Sequence, residues 1–133
     1  MLVVDASLVV AALIDSGKDG TWALAQLSAG PLAAPHLMPV EAANILRRQW
    51  LAGRISQDLA AIAHADLLDL RIELYPYSPF ADRIWELRAN LTAYDAWYVA
   101  IAEARDARLA TLDVRLSRAQ GPRCGFEVPA KAS

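Results

Sequence analysis

The fold is decided by the stretch LTAYDAWYVAIAEARDARLATLD, residues 91–113. Thr92 is a favoured N-cap for the run Tyr94 to Arg105, which predicts a helix. The chain then passes directly into Arg108-Leu109-Ala110-Thr111-Leu112, a strand-like run that stops at Asp113. A helix that hands over to a short apolar strand is the repeating unit of a parallel sheet.

The same alternation extends outward in both directions. Leu2 to Val4 is a buried strand by its pattern, followed by a helix from Ala6 to Ile14, a loop Ser16 to Gly20, and a helix Thr21 to Ala29 stopped by Gly30-Pro31. Leu32 to Ala34 is the next strand, and Pro35 to Met38 lead into a long amphipathic helix through Ala52, with Pro39 near its first turn and Gly53 as its stop. Ser56 caps a helix Gln57 to Leu70. Ile72 to Tyr75 alternates as a strand, Ser78 and Pro79 start a helix Phe80 to Arg88, and after Asp113 come a short helix Val114 to Ala119 and a strand near Phe126 to Val128. Strand and helix alternate almost throughout, which predicts an α/β fold, a three-layer α/β/α sandwich with a central parallel sheet. Residues 1–133 carry no repeat, linker or low-complexity segment, and one domain is expected.

Composition narrows the chemistry. With 56% hydrophobic and 21% charged residues the chain supports a sizeable core, and a net charge of −2 excludes a strongly basic nucleic-acid or membrane binder, though not a local basic stripe. A single cysteine, Cys124, excludes an internal disulfide and a multi-cysteine zinc site, and reads as a small buried hydrophobe. No run has the length of a membrane span and no signal-peptide pattern is present, so a soluble, cytoplasmic protein is expected. His36 and His64 are far apart and read as structural. H-E-x-x-H, G-x-S-x-G, G-x-G-x-x-G and the Walker loop are all absent, which leaves the chemistry to carboxylates.

Four carboxylates stand apart from the rest. Asp5 and Asp113 directly follow predicted strands, and Glu41 and Asp95 fall in the first turns of predicted helices. In a parallel α/β sheet these positions share one edge. Each also has a local explanation: Asp5 and Asp113 are favoured caps, Thr92 to Asp95 has capping-box spacing, and Glu41 and Asp95 complement a helix dipole. Together they differ from Asp15, Asp58, Asp66, Asp69, Asp82 and Asp106, which have polar neighbours. Convergence would raise all four pKa values unless a cation neutralises them. Hard oxygen donors without His or Cys select Mg²⁺ or Mn²⁺, which suits phosphodiester hydrolysis by an activated water.

Several neighbours accompany the acids. Ser7 lies two residues after Asp5 and Thr111 two before Asp113, each placed to orient a water or a ligand carboxylate, or else to cap or to favour a strand. Asn44 and Arg48 share the helix face of Glu41 and are placed for a phosphate contact. Arg47, Arg48, Arg54, Arg115 and Arg118 form the candidate basic rim, since the planar guanidinium binds phosphate bidentately and stacks on bases. Trp50, Trp85 and Trp97 read as core or interface residues.

The motifs VVDAS with Asp5, PVEAANILRR with Glu41, LTAYDAWYVAIAEARDARLATLD with Asp95 and Asp113, and the following VRLSRA together resemble a PIN domain, in particular the VapC-like ribonuclease toxins of bacterial toxin–antitoxin pairs. The resemblance covers essentially the whole chain. It implies a Mg²⁺- or Mn²⁺-dependent endoribonuclease, a homodimer, and a small antitoxin that covers the acidic groove. It also implies that Asp5, Glu41, Asp95 and Asp113 are the family's acidic set, with Thr111 at the associated hydroxyl position. The RNA target stays open.

Rival readings fare worse. A receiver domain needs a lysine near its acids, and Lys18 and Lys131 both fall in predicted loops or tails. A haloacid-dehalogenase-type phosphatase needs an Asp where this chain has Ser7. A catalytically silent PIN-like binding or scaffold module has no use for four mutually repelling charges.

Overall fold

The computed structural model describes residues 1–130, so Lys131 lies outside the described residues. Five parallel strands, β1 (Leu2–Val4), β2 (Leu32–Pro35), β3 (Ile72–Tyr75), β4 (Arg108–Ala110) and β5 (Phe126–Glu127), form a sheet in the order β3-β2-β1-β4-β5. Around it lie α1 (Ala6–Ile14), α2 (Lys18–Leu27), α3 (Met38–Leu51), α4 (Gln57–Asp69), α5 (Ala81–Glu86), α6 (Ala93–Ala104) and α7 (Val114–Ser117). This is the α/β/α sandwich that the alternating pattern predicts.

The sheet is built outward from its centre. β1 pairs with both β2 and β4, and Val3, Val4, Ala33, Ala34, Leu109 and Ala110 are fully buried, which is why these strands read as continuous apolar runs. α6 lies across β1, β2 and β4, and its Ala96, Val99, Ala100, Ile101 and Ala102 are buried against them. On leaving β1 the chain builds β2 and then β3 on one side, and later β4 and β5 on the other. The order therefore reverses between β1 and β4, and the crevice at the carboxyl ends of strands at such a reversal is where open α/β sheets hold ligands.

Three local readings are corrected. The predicted loop Ser16 to Gly20 is shorter, because α2 begins at Lys18. Gly20 belongs to that helix and is buried, and a Cβ there would stand 1.7 Å from the Asp15 carbonyl oxygen. The glycine thus serves close packing against the end of α1, not a break in the chain. Ser78 does not cap a helix. A turn of 3-10 helix (Ser78–Phe80) precedes α5, and Tyr77 stands at its start without a side-chain cap. Finally, of the core or interface roles read for Trp50 and Trp85, 43% and 66% exposure removes the core one. Trp97 is half-buried beside the core, with Tyr77 edge-on to its ring at 5.5 Å.

His36 and His64 are both exposed. Cys124, read as a small buried hydrophobe, is half-buried and packs against the core, and burial pushes its thiol up to about 11. No helix among the described residues is long and apolar enough to cross a membrane.

Candidate active site

Four chain segments deliver the acids to one place. Asp5 leaves β1 with extended backbone (φ −90°, ψ 167°) and caps α1, its Oδ1 accepting from the Leu8 N–H at 2.9 Å and from the Ser7 hydroxyl at 3.0 Å. Asp113 follows β4 and caps α7, its Oδ1 accepting from the N–H groups of Arg115 at 3.0 Å and Leu116 at 3.3 Å. Glu41 stands in the first turn of α3, which Pro39 helps to start. Asp95 stands in the first turn of α6, with its N–H donated to the Thr92 hydroxyl at 3.2 Å. All four, with Ser7, Asn44, Arg48, Tyr98, Ala6 and Ile45, line one cavity of about 260 Å³ at the carboxyl edge of the sheet. For Asp5 and Asp113, capping and a place in the shared pocket hold at once.

Thr111 sits behind this pocket and not in it. It is fully buried, its hydroxyl donates to Asp5 Oδ2, and its own Oγ1 accepts the Asp113 N–H at 2.9 Å. One threonine thereby fixes the carboxylate after β1 relative to the backbone after β4. Arg115 also lies outside the cavity lining: its side chain is exposed, and its contribution is the backbone N–H given to Asp113. Arg47 lines a separate groove between α3 and α4, beside Trp50 and His64.

Sequence reading did not single out Tyr98. Its ring is 3% exposed, and its hydroxyl donates to Glu41 Oε1 at 2.8 Å. The available signal was a phenol three residues after Asp95, hence on the same helix face, within an apolar run where its hydroxyl needs a partner. Burial beside these carboxylates drives the Tyr98 phenol strongly upward, so it remains a donor.

The electrostatics of the pocket are one-sided. Burial raises the Asp5 carboxyl above its ordinary value, against hydrogen bonds from Thr111, Leu8 and Ser7, and the Asp113 charge adds to the rise. Burial likewise raises Glu41, opposed by the Tyr98 bond and assisted by Asp95 and Asp5. Asp95 is raised by burial and then by the charges of Asp113 and Asp5. Arg48 is the one cation among the lining residues. Such a cluster, all oxygen and short of positive charge, fits a hard divalent cation. Among the described residues no three His, Cys, Asp or Glu are drawn together tightly enough to close around an ion. An open carboxylate arrangement suits Mg²⁺, which keeps several waters and takes few protein oxygens directly.

Comparison with known proteins gives the family. Residues 2–122 match the PIN domain. Ribonuclease VapC9 of Mycobacterium tuberculosis is 41% identical over 128 residues, covering 96% of this chain and 98% of that protein. Ribonuclease VapC1 of the same organism is 42% identical over 127 residues, covering 95% and 96%. Among solved structures, Mycobacterium tuberculosis VapC20, described as a sarcin-ricin loop cleaving toxin, superposes with a TM-score of 0.68 at 16% identity over 89% of this chain and 94% of that one. VapBC2 from Rickettsia felis, bound to a DNA fragment from its promoter, gives 0.64 at 14% identity over 96% and 97%. By the match over nearly its whole length and by relatives above 40% identity, the chain belongs to the PIN-domain family, among its VapC ribonucleases.

Proposed function

We propose that this chain is a metal-dependent endoribonuclease, a single nuclease domain that acts as the toxin of a toxin–antitoxin pair. The observation that carries the reading is the pocket in which Asp5, Glu41, Asp95 and Asp113 face one another with Arg48 as the one lining cation. The relatives above 40% identity are named ribonucleases, which supports RNA as the substrate. The structural neighbour VapBC2 is named for a two-component assembly, which supports a small antitoxin as partner. A homodimer and a cytoplasmic location complete the proposal.

Mg²⁺ or Mn²⁺ would sit among the four carboxylates, held by few of their oxygens directly and by the rest through water. When bound, such an ion supplies charge neutralisation at the scissile phosphate and a lowered pKa for the attacking water. The protein's own contributions are positional. Ser7, Leu8 and Thr111 fix both oxygens of Asp5, and the α7 N–H groups hold Asp113 Oδ1, so these carboxylates keep their orientation before substrate arrives. Tyr98 does the same for Glu41. Asn44 and Arg48 line the cavity beside the acids and are the donors for a phosphate.

The test is incubation of the purified protein with total RNA in Mg²⁺ or Mn²⁺, with and without chelator, followed by sequencing of the new ends. Cleavage at defined positions that stops in chelator and in Asp95→Asn is expected. Cleavage that persists in EDTA, or full activity in Asp95→Asn, refutes the proposal.

A further inference from the structure

α1 and α3 pack side by side, and both begin at the acidic edge, one from Asp5 and the other near Glu41. The space between them does not end with the acidic pocket. A second cavity, of about 400 Å³, continues along the two helices and shares Ser7 and Ile45 with the first. Its walls include Val10 and Ile14 from α1, and Ile55 beyond α3; its polar groups include Gln49 and Arg54. On α3 the positions 41, 45 and 49 recur at helical spacing, so Glu41, Ile45 and Gln49 follow one line for about 12 Å of helix axis. That is longer than one nucleotide step.

The charge of this trough changes along its length. At one end stand the four carboxylates; beyond them come Asn44, Arg48, Gln49 and Arg54. Arg54 is set there by a defined turn: Gly53 at φ 73° ends α3, and the Arg54 N–H returns to the Gln49 carbonyl at 3.0 Å. The acid at the far end, Asp15, has one carboxylate oxygen occupied by the Gly17 N–H at 2.7 Å.

We infer that the trough between α1 and α3 is the path by which a single-stranded RNA leaves the acidic pocket, with Arg54 on a phosphate and Gln49 and the apolar wall on an adjacent base. The inference rests on the nuclease reading above and adds a binding subsite to it. A strand whose scissile phosphate lies at the acids must continue past them, and this trough offers guanidinium and amide donors above an apolar floor. Single-strand recognition pairs cations on the backbone with hydrogen-bonding groups and guanidinium planes for unstacked bases, roles that Arg54 and Gln49 can fill.

The experiment compares wild type, Arg54→Ala and Gln49→Ala on a random-sequence single-stranded RNA oligonucleotide long enough to fill the trough and on a random-sequence dinucleotide. Arg54→Ala should raise KM several-fold on the oligonucleotide and much less on the dinucleotide. The slope of log apparent affinity against log salt for the oligonucleotide should become shallower by about 0.7, the loss of one phosphate contact. Gln49→Ala should change which bases flank the cut. Unchanged KM and salt slope in Arg54→Ala, with wild type active, overturn the inference; a trough that receives a partner polypeptide instead gives this result. An equal loss on both substrates also overturns it, because it reports a disturbed fold. A wild type that cleaves neither substrate refutes the nuclease reading itself.

Discussion

Replacing Tyr98 with phenylalanine removes one atom from the site, the hydroxyl that donates to Glu41 Oε1 at 2.8 Å, and leaves the ring that fills the core beneath it. A hydrogen bond to a charged acceptor contributes about 1.5–3 kcal/mol. Glu41 is half-buried and faces an open cavity, so water takes up part of the lost bond, and phenylalanine has no hydroxyl to desolvate. The expected loss of stability without metal is therefore about 1 kcal/mol, a fall in Tm of roughly 4 °C. The effect on ion binding should be larger. Once freed, Glu41 samples rotamers that point away from the other acids, and loss of a group that orients a ligand costs about 10–100-fold in metal affinity. Titration calorimetry with Mn²⁺ on wild type, Tyr98→Phe, Glu41→Gln and the double variant separates the two effects. The tyrosine substitution should cost about 10–100-fold, or roughly 1.4–2.7 kcal/mol, when Glu41 is present and little when it is Gln. Equal losses in both backgrounds, or Mn²⁺ affinity unchanged in Tyr98→Phe, would refute the assignment of the tyrosine to Glu41.

Asp5, Glu41 and Asp95 are all held above their ordinary values of 3.8, 4.5 and 3.8, so the folded protein keeps protons that the unfolded chain has lost, and their contribution to stability falls as pH rises through that window. In EDTA, Asp95→Asn should therefore melt at or above wild type by a margin that grows as pH rises above about 4, whereas Mn²⁺ at about 100 times its dissociation constant should stabilise wild type by roughly 2.7 kcal/mol and the variant less. Asp5→Asn should abolish cleavage with little change in Tm because Asn is also a good cap, and Asp5→Ala should lose about 0.5–2 kcal/mol besides; equal melting of the two variants would contradict the capping role. Arg83 holds both oxygens of Glu103 at 2.7 and 3.1 Å, and the Arg123 N–H adds a bond at 2.8 Å. Burial pushes Glu103 up, but these partners bring it below its ordinary value, so their contribution is present at neutral pH and lost on acidification. Glu103→Gln should lower stability by about 2 kcal/mol without altering the sequence at which RNA is cut, read by melting and end-sequencing. Expression of the intact chain without its antitoxin should arrest growth, and unimpaired growth beside active protein in the lysate would count against the toxin reading.

The architecture was legible because short apolar runs alternate with longer helical stretches and are separated by strong local signals. Ser56 and Thr92 cap α4 and α6 as their types predict, with bonds to the N–H groups of Leu59 and Asp95 at 3.0 and 3.2 Å. The start of α2 was not legible, because the reason Gly20 is a glycine is the Asp15 carbonyl in the preceding helix end, a contact outside any local window. The acids were legible from their positions alone, since strand ends and helix starts meet at one edge in a parallel sheet. Arg115 shows the limit of that logic: a residue two positions beyond Asp113 is near the site in sequence, yet its side chain turns outward while its backbone serves the site. Tyr98 shows the converse. Nothing local distinguishes a tyrosine that fills a core from one that fills a core and also holds a carboxylate 57 residues away.

Whether Asp5 is a helix cap or a site for a cation is therefore a false choice. Its Oδ1 is held by the start of α1, its Oδ2 by Thr111, and Thr111 is held in turn by the backbone of Asp113, which caps the next such helix. The N–H groups at helix starts carry partial positive charge, which offsets part of the cost of placing carboxylates together. Capping thus makes the cluster tolerable in a folded chain, and it also removes the rotational freedom that would blur a catalytic site. What the caps leave over is set by Glu41 and Asp95: burial and the neighbouring acids raise them both, and only Arg48 lines the pocket as a counter-charge. The helix starts explain where the four acids are, and the charge that those starts leave uncompensated is what the proposed cation would neutralise.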